Sequence, residues 1–276
     1  MKNTLFTIIK GLWVGGTLTV PGVSGGSMAM ILGIYDRLIK SVNAFIKKDG
    51  DRKAALPFLL WFTLGGACGF VLFSSLVSFL LERFPLFICL FFVGAVIGGE
   101  PMVLKQAKID RFRIIDAIMI LSGAATVMLI SSIPSEIFSV DGIGGIGGFA
   151  LKILCGLILA FGFVLPGISF SQMLYVFGIY GEIVQRVSTL DILPLIPFGI
   201  GGIIGIFATS LAVEKLMERF PRRVYTAIFG FLLGSVPTML RGLDFTGLQP
   251  WAYPILALLL AAGFTAVFSM SKAMGD

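Results

Sequence analysis

Along this chain apolar runs alternate with short charged loops, and the runs are long. Four are uninterrupted and sufficient to cross a hydrocarbon core of roughly 30 Å, at residues 56–80, 114–133, 193–213 and 252–270. Two shorter, glycine-interrupted runs, 86–104 and 224–240, are expected to cross as well. Two further segments, 5–45 and 149–182, carry a Pro-Gly pair inside an apolar stretch. A break there is expensive, because freed backbone groups find no water in hydrocarbon. Each is either one broken crossing or a hairpin that enters and leaves on the same side. The pattern predicts an all-α polytopic membrane protein.

The breaks belong to a duplication. Pro21-Gly22-Val23-Ser24, with Gly33-Ile34-Tyr35 behind it, returns as Pro166-Gly167-Ile168-Ser169 with Gly178-Ile179-Tyr180 at the same internal spacing. Glu82-Arg83-Phe84-Pro85 returns as Glu218-Arg219-Phe220-Pro221, and Gly94, Gly98 and Pro101 return as Gly230, Gly234 and Pro237. A helix break that is copied along with its surroundings reads as a site rather than a spacer. The two copies are expected to occupy 1–140 and 149–276, joined by the glycine-rich stretch 142–148, which reads as a flexible linker.

Composition narrows the chemistry. A mean hydropathy of +1.00, with 13% charged residues, lies far outside the soluble range. There is no histidine, which removes the commonest proton relay and metal ligand. Cys68, Cys89 and Cys155 sit in apolar runs without metal-type spacing and read as packing residues. One lysine precedes the first apolar run, but no small-residue cleavage site follows, so no cleaved signal peptide is expected. The net charge of +6 resides in loops between membrane segments, which points to anionic lipid headgroups and excludes nucleic acid as a partner.

Charge also chooses between the two readings of the broken segments. If both are hairpins, 17 of the 21 Lys and Arg residues collect on one face and 4 on the other; if each crosses once, the split is 12 to 9. Cytoplasmic loops carry the excess of basic residues, so the hairpin reading is preferred. Each half then comprises a re-entrant helix hairpin plus three transmembrane helices. Three crossings are an odd number, so the second half is inverted relative to the first, with both termini cytoplasmic. Inverted-topology repeats with broken helices meeting near the midplane are an architecture of secondary transporters.

The tips carry the candidate chemistry. In the first, proline stops one helix, Gly25 and Gly26 permit a tight turn, and Ser24 is a good N-cap for the next helix, with Ser27 one turn on. Exposed N–H groups and hydroxyls at such a place suit an anion. The second tip offers Ser169, Ser171 and Gln172, with Phe170 where the first has Gly25. A plainer reading makes all of these turn and cap residues. Glu100, whose repeat counterpart is Val236, is an unduplicated intramembrane acid and a candidate for coupling or gating. Its plainer reading is an interfacial carboxylate near Lys105. Tyr35 and Tyr180 close the two hairpins and are candidate headgroup contacts or gates, although tyrosine at an interface needs no further reason. The Glu82-Arg83 and Glu218-Arg219 pairs read as helix-end corners, and Asp116 as interfacial.

With these residues in hand, the chain resembles the PopT-type polyprenyl-phosphate translocases of bacterial membranes. The likeness rests on Pro21 to Gly26, on Gly33-Ile34-Tyr35-Asp36-Arg37 and on Pro166 to Ser169, and it extends over essentially the whole chain. It implies transport of undecaprenyl phosphate from the outer to the inner leaflet of the cytoplasmic membrane by alternating access, recycling the carrier for cell-wall synthesis. The lipid-phosphate site is then expected at Ser24, Gly25, Gly26, Ser27, Ser169, Ser171 and Gln172. The rival class is an enzyme, an undecaprenyl-pyrophosphate phosphatase of the BacA type. That pattern places arginine after the tip serine, where this chain has Gly25 and Phe170, and hydrolysis needs charge to neutralise its transition state. A small-solute transporter is a third reading. No cofactor is expected, coupling to protons or sodium is, and a homo-oligomer is left open.

Overall fold

The computed structural model describes residues 2–18, 20, 23–109, 111–134, 145–179, 182–183, 186, 189, 191–241 and 243–274. Among the described residues there are α-helices and one short 3-10 turn. In chain order the helices are α1 (Lys2–Thr17), α2 (Gly25–Ile31), α3 (Tyr35–Asn43), α4 (Arg52–Arg83), α5 (Pro85–Ala107) and α6 (Ile114–Ser132). They continue with α7 (Gly145–Val164), α8 (Phe170–Val176), α9 (Ile196–Arg219, preceded by the 3-10 turn Leu193–Leu195), α10 (Pro221–Leu240) and α11 (Ala252–Met274). Among the described residues, seven helical segments are long and apolar enough to cross a membrane: α4, α5, α6, α7, α9 with its 3-10 turn, α10 and α11. Leucines at the middle of α4 and α6, such as Leu72 at 64% and Leu121 at 69% exposure, face outward as lipid-contacting side chains do. This is a multi-pass membrane protein. The sixteen residues of α1 span only about 24 Å, less than a full crossing.

Local chemistry sets the helix ends. Asp51 caps α4 by accepting from the Ala54 N–H at 3.0 Å. Phe84 (φ −138°, ψ 53°) ends α4, and Pro85, which has no N–H to lose, starts α5. Phe220 (φ −136°, ψ 53°) and Pro221 repeat that corner between α9 and α10. Gly33 and Gly178 share the same φ of 67°, a left-handed turn that favours glycine. The duplication read from the sequence is thus written into matching backbone geometry. One expectation is revised: Gly145–Gly148 open α7 instead of linking the halves, because a run of small and apolar residues continues directly into Phe149–Val164. Residues 142–144 lie outside the described residues.

Helix pairing repeats as well. In the first copy α1 packs on α4, and in the second α7 packs on α9. The remaining helices exchange partners, with α5 on α11 and α6 on α10. Glycine makes this exchange feasible. A Cβ at Gly94 or Gly98 would run into the backbone carbonyls of Leu260 or Phe264 on α11, and a Cβ at Gly230 or Gly234 into those of Ile120 or Ala124 on α6. Helices α6 and α11 therefore each pack on a helix from the other motif-bearing stretch of the chain. At the centre lies α2, where Met28, Ala29, Met30 and Ile31 are all at most 1% exposed. A seven-residue helix has no stability of its own. It is held by what surrounds it, including the Lys10 ammonium, which donates to the Leu32 carbonyl at the end of α2 at 2.9 Å.

Candidate functional site

The two copied breaks meet. Ser24 is extended (φ −102°, ψ 145°) and caps α2, its Oγ accepting from the Ser27 N–H at 3.0 Å. The Ser24 and Ser27 hydroxyls lie 2.7 Å apart and share a hydrogen bond. Into this pair the second tip inserts its backbone: the Gly167 N–H donates to Ser27 Oγ at 2.6 Å and to Ser24 Oγ at 3.1 Å. Gly167 has φ +84°, and a Cβ there would lie 2.7 Å from Phe231, so glycine is required on both counts. From the first tip, Gly26 lies so close that an added Cβ would sit 2.9 Å from the Val164 carbonyl oxygen and 3.2 Å from Pro166 N. Tyr35, 1% exposed, completes the junction by donating its hydroxyl to the same Val164 carbonyl at 3.0 Å.

Ser24, Gly25, Gly26, Ser27 and Tyr35 are therefore gathered at one junction. Ser169 is buried and precedes α8, and its carbonyl accepts from Met173 N–H at 3.2 Å, as that of Ser24 does from Met28 at 3.1 Å. Ser171 and Gln172 lie in α8, but their side chains, like Tyr180, Pro21 and Gly22, fall outside the described residues. Glu100 is 8% exposed within α5, next to Gly99, where a Cβ would strike Ile31 of α2. Its Oε1 has no hydrogen-bond partner among the described residues. The acid is thus a buried carboxylate of α5 whose neighbour Gly99 lies against α2.

Chemically, the junction is a set of convergent neutral donors. The two serine hydroxyls and the N–H groups of Ser27 and Gly167 are joined in one buried hydrogen-bond cluster. A tetrahedral oxyanion entering as the tips part would meet the same groups. Hydroxyls and amides hydrogen-bond such an anion without supplying the fixed positive charge that would neutralise a hydrolytic transition state.

The sequence profile of the undecaprenyl phosphate translocase-like family matches residues 14–245. The chain belongs to that family. The match takes in the first tip, the second tip and the helices between them. Two members' names fit it. The chain is 29% identical to a polyprenyl-phosphate transporter of Vibrio cholerae over 85% of its own length and 77% of that protein's. It is 26% identical to a polyprenyl-phosphate transporter of Staphylococcus aureus over 96% of its own length and 95% of that protein's. No solved structure matches the chain.

Several residues that matter to this family member escape a reading of the sequence. Glu214 in α9 is buried and its Oε2 accepts from Asn43 Nδ2 and pairs with Lys47 Nζ, each at 2.7 Å. Tyr225 in α10 donates to Asp36 Oδ2 at 2.6 Å. These bonds tie α3 to α9 and α10, across the two copies. Asp116 at the start of α6 takes Arg222 in a two-point grip, at 2.9 and 2.5 Å, and accepts from the Arg113 N–H at 2.7 Å. For Lys10 a signal did exist, since a lone charge inside an apolar run must find a partner. Asn43 carried none.

Proposed function

We propose that this chain carries polyprenyl phosphate, undecaprenyl phosphate in the first instance, from the outer to the inner leaflet of the bacterial cytoplasmic membrane. The observation that carries this reading is the junction of Ser24, Ser27 and Gly167, a cluster of oxyanion-binding groups buried where two copied helix breaks meet, in a chain of this family. A phosphate headgroup left in hydrocarbon costs tens of kcal/mol by the Born estimate. The junction supplies the polar station on its path while the prenyl chain stays in lipid.

On this reading 1–140 and 149–276 are inverted repeats, each a re-entrant hairpin plus three transmembrane helices, with both termini cytoplasmic. The recurrence of the same helix pairs and the 17-to-4 charge division support it. Alternating access is then a rocking of the two arrangements about the tips, opened first to one leaflet and then to the other. Labelling of single cysteines in intact cells checks the topology. Lys47→Cys and Lys108→Cys should react only from the cytoplasm and Asp191→Cys only from outside. A cytoplasmic Asp191 would remove the inversion.

The direction of transport imposes an electrical cost. A phosphate monoester carries about 1.5 to 2 negative charges at pH 7, and inward movement costs about 2.3 kcal/mol per charge per 100 mV of inside-negative potential. Accompanying protons or sodium offset that cost, and Glu100 is the candidate coupling group because it is buried, unduplicated and beside α2. Glu100→Gln should weaken the pH or sodium dependence of transport more than it weakens lipid binding. Equal ion dependence in mutant and parent proteoliposomes would rule Glu100 out.

The chain acts as a transporter and not as a phosphatase. Gly25 and Phe170 stand in the arginine places of the BacA pattern, and among the described residues the hydrogen-bond partners of the Ser24 and Ser27 hydroxyls are neutral. The decisive experiment reconstitutes the purified protein with fluorescent polyprenyl phosphate. Accelerated exchange between leaflets, without phosphate release from undecaprenyl pyrophosphate, is the expected result. Exchange no faster than in empty vesicles overturns the proposal, and steady phosphate release returns the enzyme.

A further inference from the structure

Beside the first tip lies a cavity of about 500 Å³ that no step above uses. Its walls come from α1, α3, α4, the end of α7 and α9, so it is built from both copies, between the α1–α4 pair and the α7–α9 pair. The lining is almost wholly apolar. One end is formed by Gly25, Gly26 and Tyr35, the residues of the junction itself. Phe70 of α4 and Phe163 of α7 also line it and are 45% and 49% exposed, so it reaches side chains at the surface of the helix bundle. In the wall is Ser210, 1% exposed, whose hydroxyl has no hydrogen-bond partner among the described residues. Burying an unpaired hydroxyl is unfavourable, and in an apolar chamber it marks where a polar atom of a guest belongs.

We infer that this cavity holds the isoprene units of the lipid nearest its phosphate, with the phosphate at the Gly25–Gly26 end and the rest of the chain leaving between Phe70 and Phe163 into the bilayer. The inference rests on the transport reading and adds how the lipid is told apart from others. A chamber with an apolar body, a polar end and a lateral mouth fits an amphiphile. Its volume lies within the usual range for small-molecule sites, about 300 to 1,000 Å³, which suits a segment of one chain and not a whole lipid. Glycerophospholipids bring two chains to one mouth and place a glycerol ester where the junction offers only small hydroxyls and amides. A single-chain polyisoprenyl monophosphate meets neither obstacle. The glycines that line the cavity let its first carbons approach the backbone.

Two measurements on the full-length protein in nanodiscs test this. Undecaprenyl phosphate carrying a photoreactive group on its first isoprene unit should label peptides of α1 and α4 that line the cavity, and excess geranyl phosphate should suppress the labelling while phosphatidic acid should not. Ala67→Trp, which places a large side chain in the cavity from α4, should weaken undecaprenyl phosphate binding about tenfold or more and leave the weak affinity for inorganic phosphate within about twofold. Labelling elsewhere, or suppression by phosphatidic acid as efficient as by geranyl phosphate, overturns the inference while transport of polyprenyl phosphate still stands. Undiminished undecaprenyl phosphate binding by a folded Ala67→Trp protein overturns it too. If the parent protein binds no polyprenyl phosphate at all, the transport reading falls first and takes this one with it.

Discussion

Replacing Ser24 and Ser27 together by alanine is expected to lower the affinity for polyprenyl phosphate about a hundredfold or more, since each hydrogen bond to a charged group contributes roughly 1.5 to 3 kcal/mol. The change also removes the N-cap of α2, about 0.5 to 2 kcal/mol, and leaves the Gly167 N–H without its acceptors. Melting temperature should therefore fall as well. Were the hydroxyls only structural, stability would drop but the folded fraction would bind as before. Measuring affinity and melting on the same purified variant separates the two, and normal affinity per folded molecule would sink the assignment. Ser169→Ala, tested alone, asks the same of the second tip. Gly26→Val completes the set: with Val164 and Pro166 so near, its side chain must hold the tips apart and abolish transport even where binding survives.

The sequence carried the parts of this molecule whose physics is local. Apolar runs announce helices because only a closed hydrogen-bond pattern survives in hydrocarbon. Phe84-Pro85 and Phe220-Pro221 announce corners because proline needs no N–H partner at a helix start. Ser24 announces a cap through its residue type and position. What escaped was long-range. Ser24 and Ser27 were legible as hydroxyls at a break, but their partner is a backbone N–H from Gly167, 143 and 140 residues away, and a backbone group has no signature in sequence. Tyr35 reads as an interfacial tyrosine until its hydroxyl is found on the Val164 carbonyl. The exchange of α6 and α11 between copies was likewise hidden. Glycines at matched positions signal close approach, yet they do not say to which helix.

On the proposed alternating access, the same long-range bonds hold this arrangement together at the end of the helices near Lys40 and Lys108. Glu214 joins α9 to Asn43 and Lys47, and Tyr225 joins α10 to Asp36, so α3 is fastened to the second copy at two points. If rocking of the copies opens that end, both fastenings must break. Glu214→Ala leaves Asn43, 0% exposed, with an unpaired amide, and Tyr225→Phe removes a hydrogen bond to a carboxylate. Each should shift the balance toward the open arrangement by about 1 to 3 kcal/mol, or roughly five- to a hundredfold. The pair should add only as far as the two fastenings act independently. Near α3 and α9 lies a cavity of about 490 Å³ lined by Met217, Lys40 and Lys108, which gives a reporter. A cysteine at Met217, in a background without Cys68, Cys89 and Cys155, should react faster in both variants from the side that carries Lys40 and Lys108, and on the proposed direction of transport uptake of lipid from the outer leaflet should slow. The Glu214→Gln variant discriminates further. It keeps an acceptor for Asn43 but loses the charge opposite Lys47, so labelling should rise less than in Glu214→Ala. Unchanged labelling across all three variants would mean that these bonds brace the fold at every stage of transport and gate nothing.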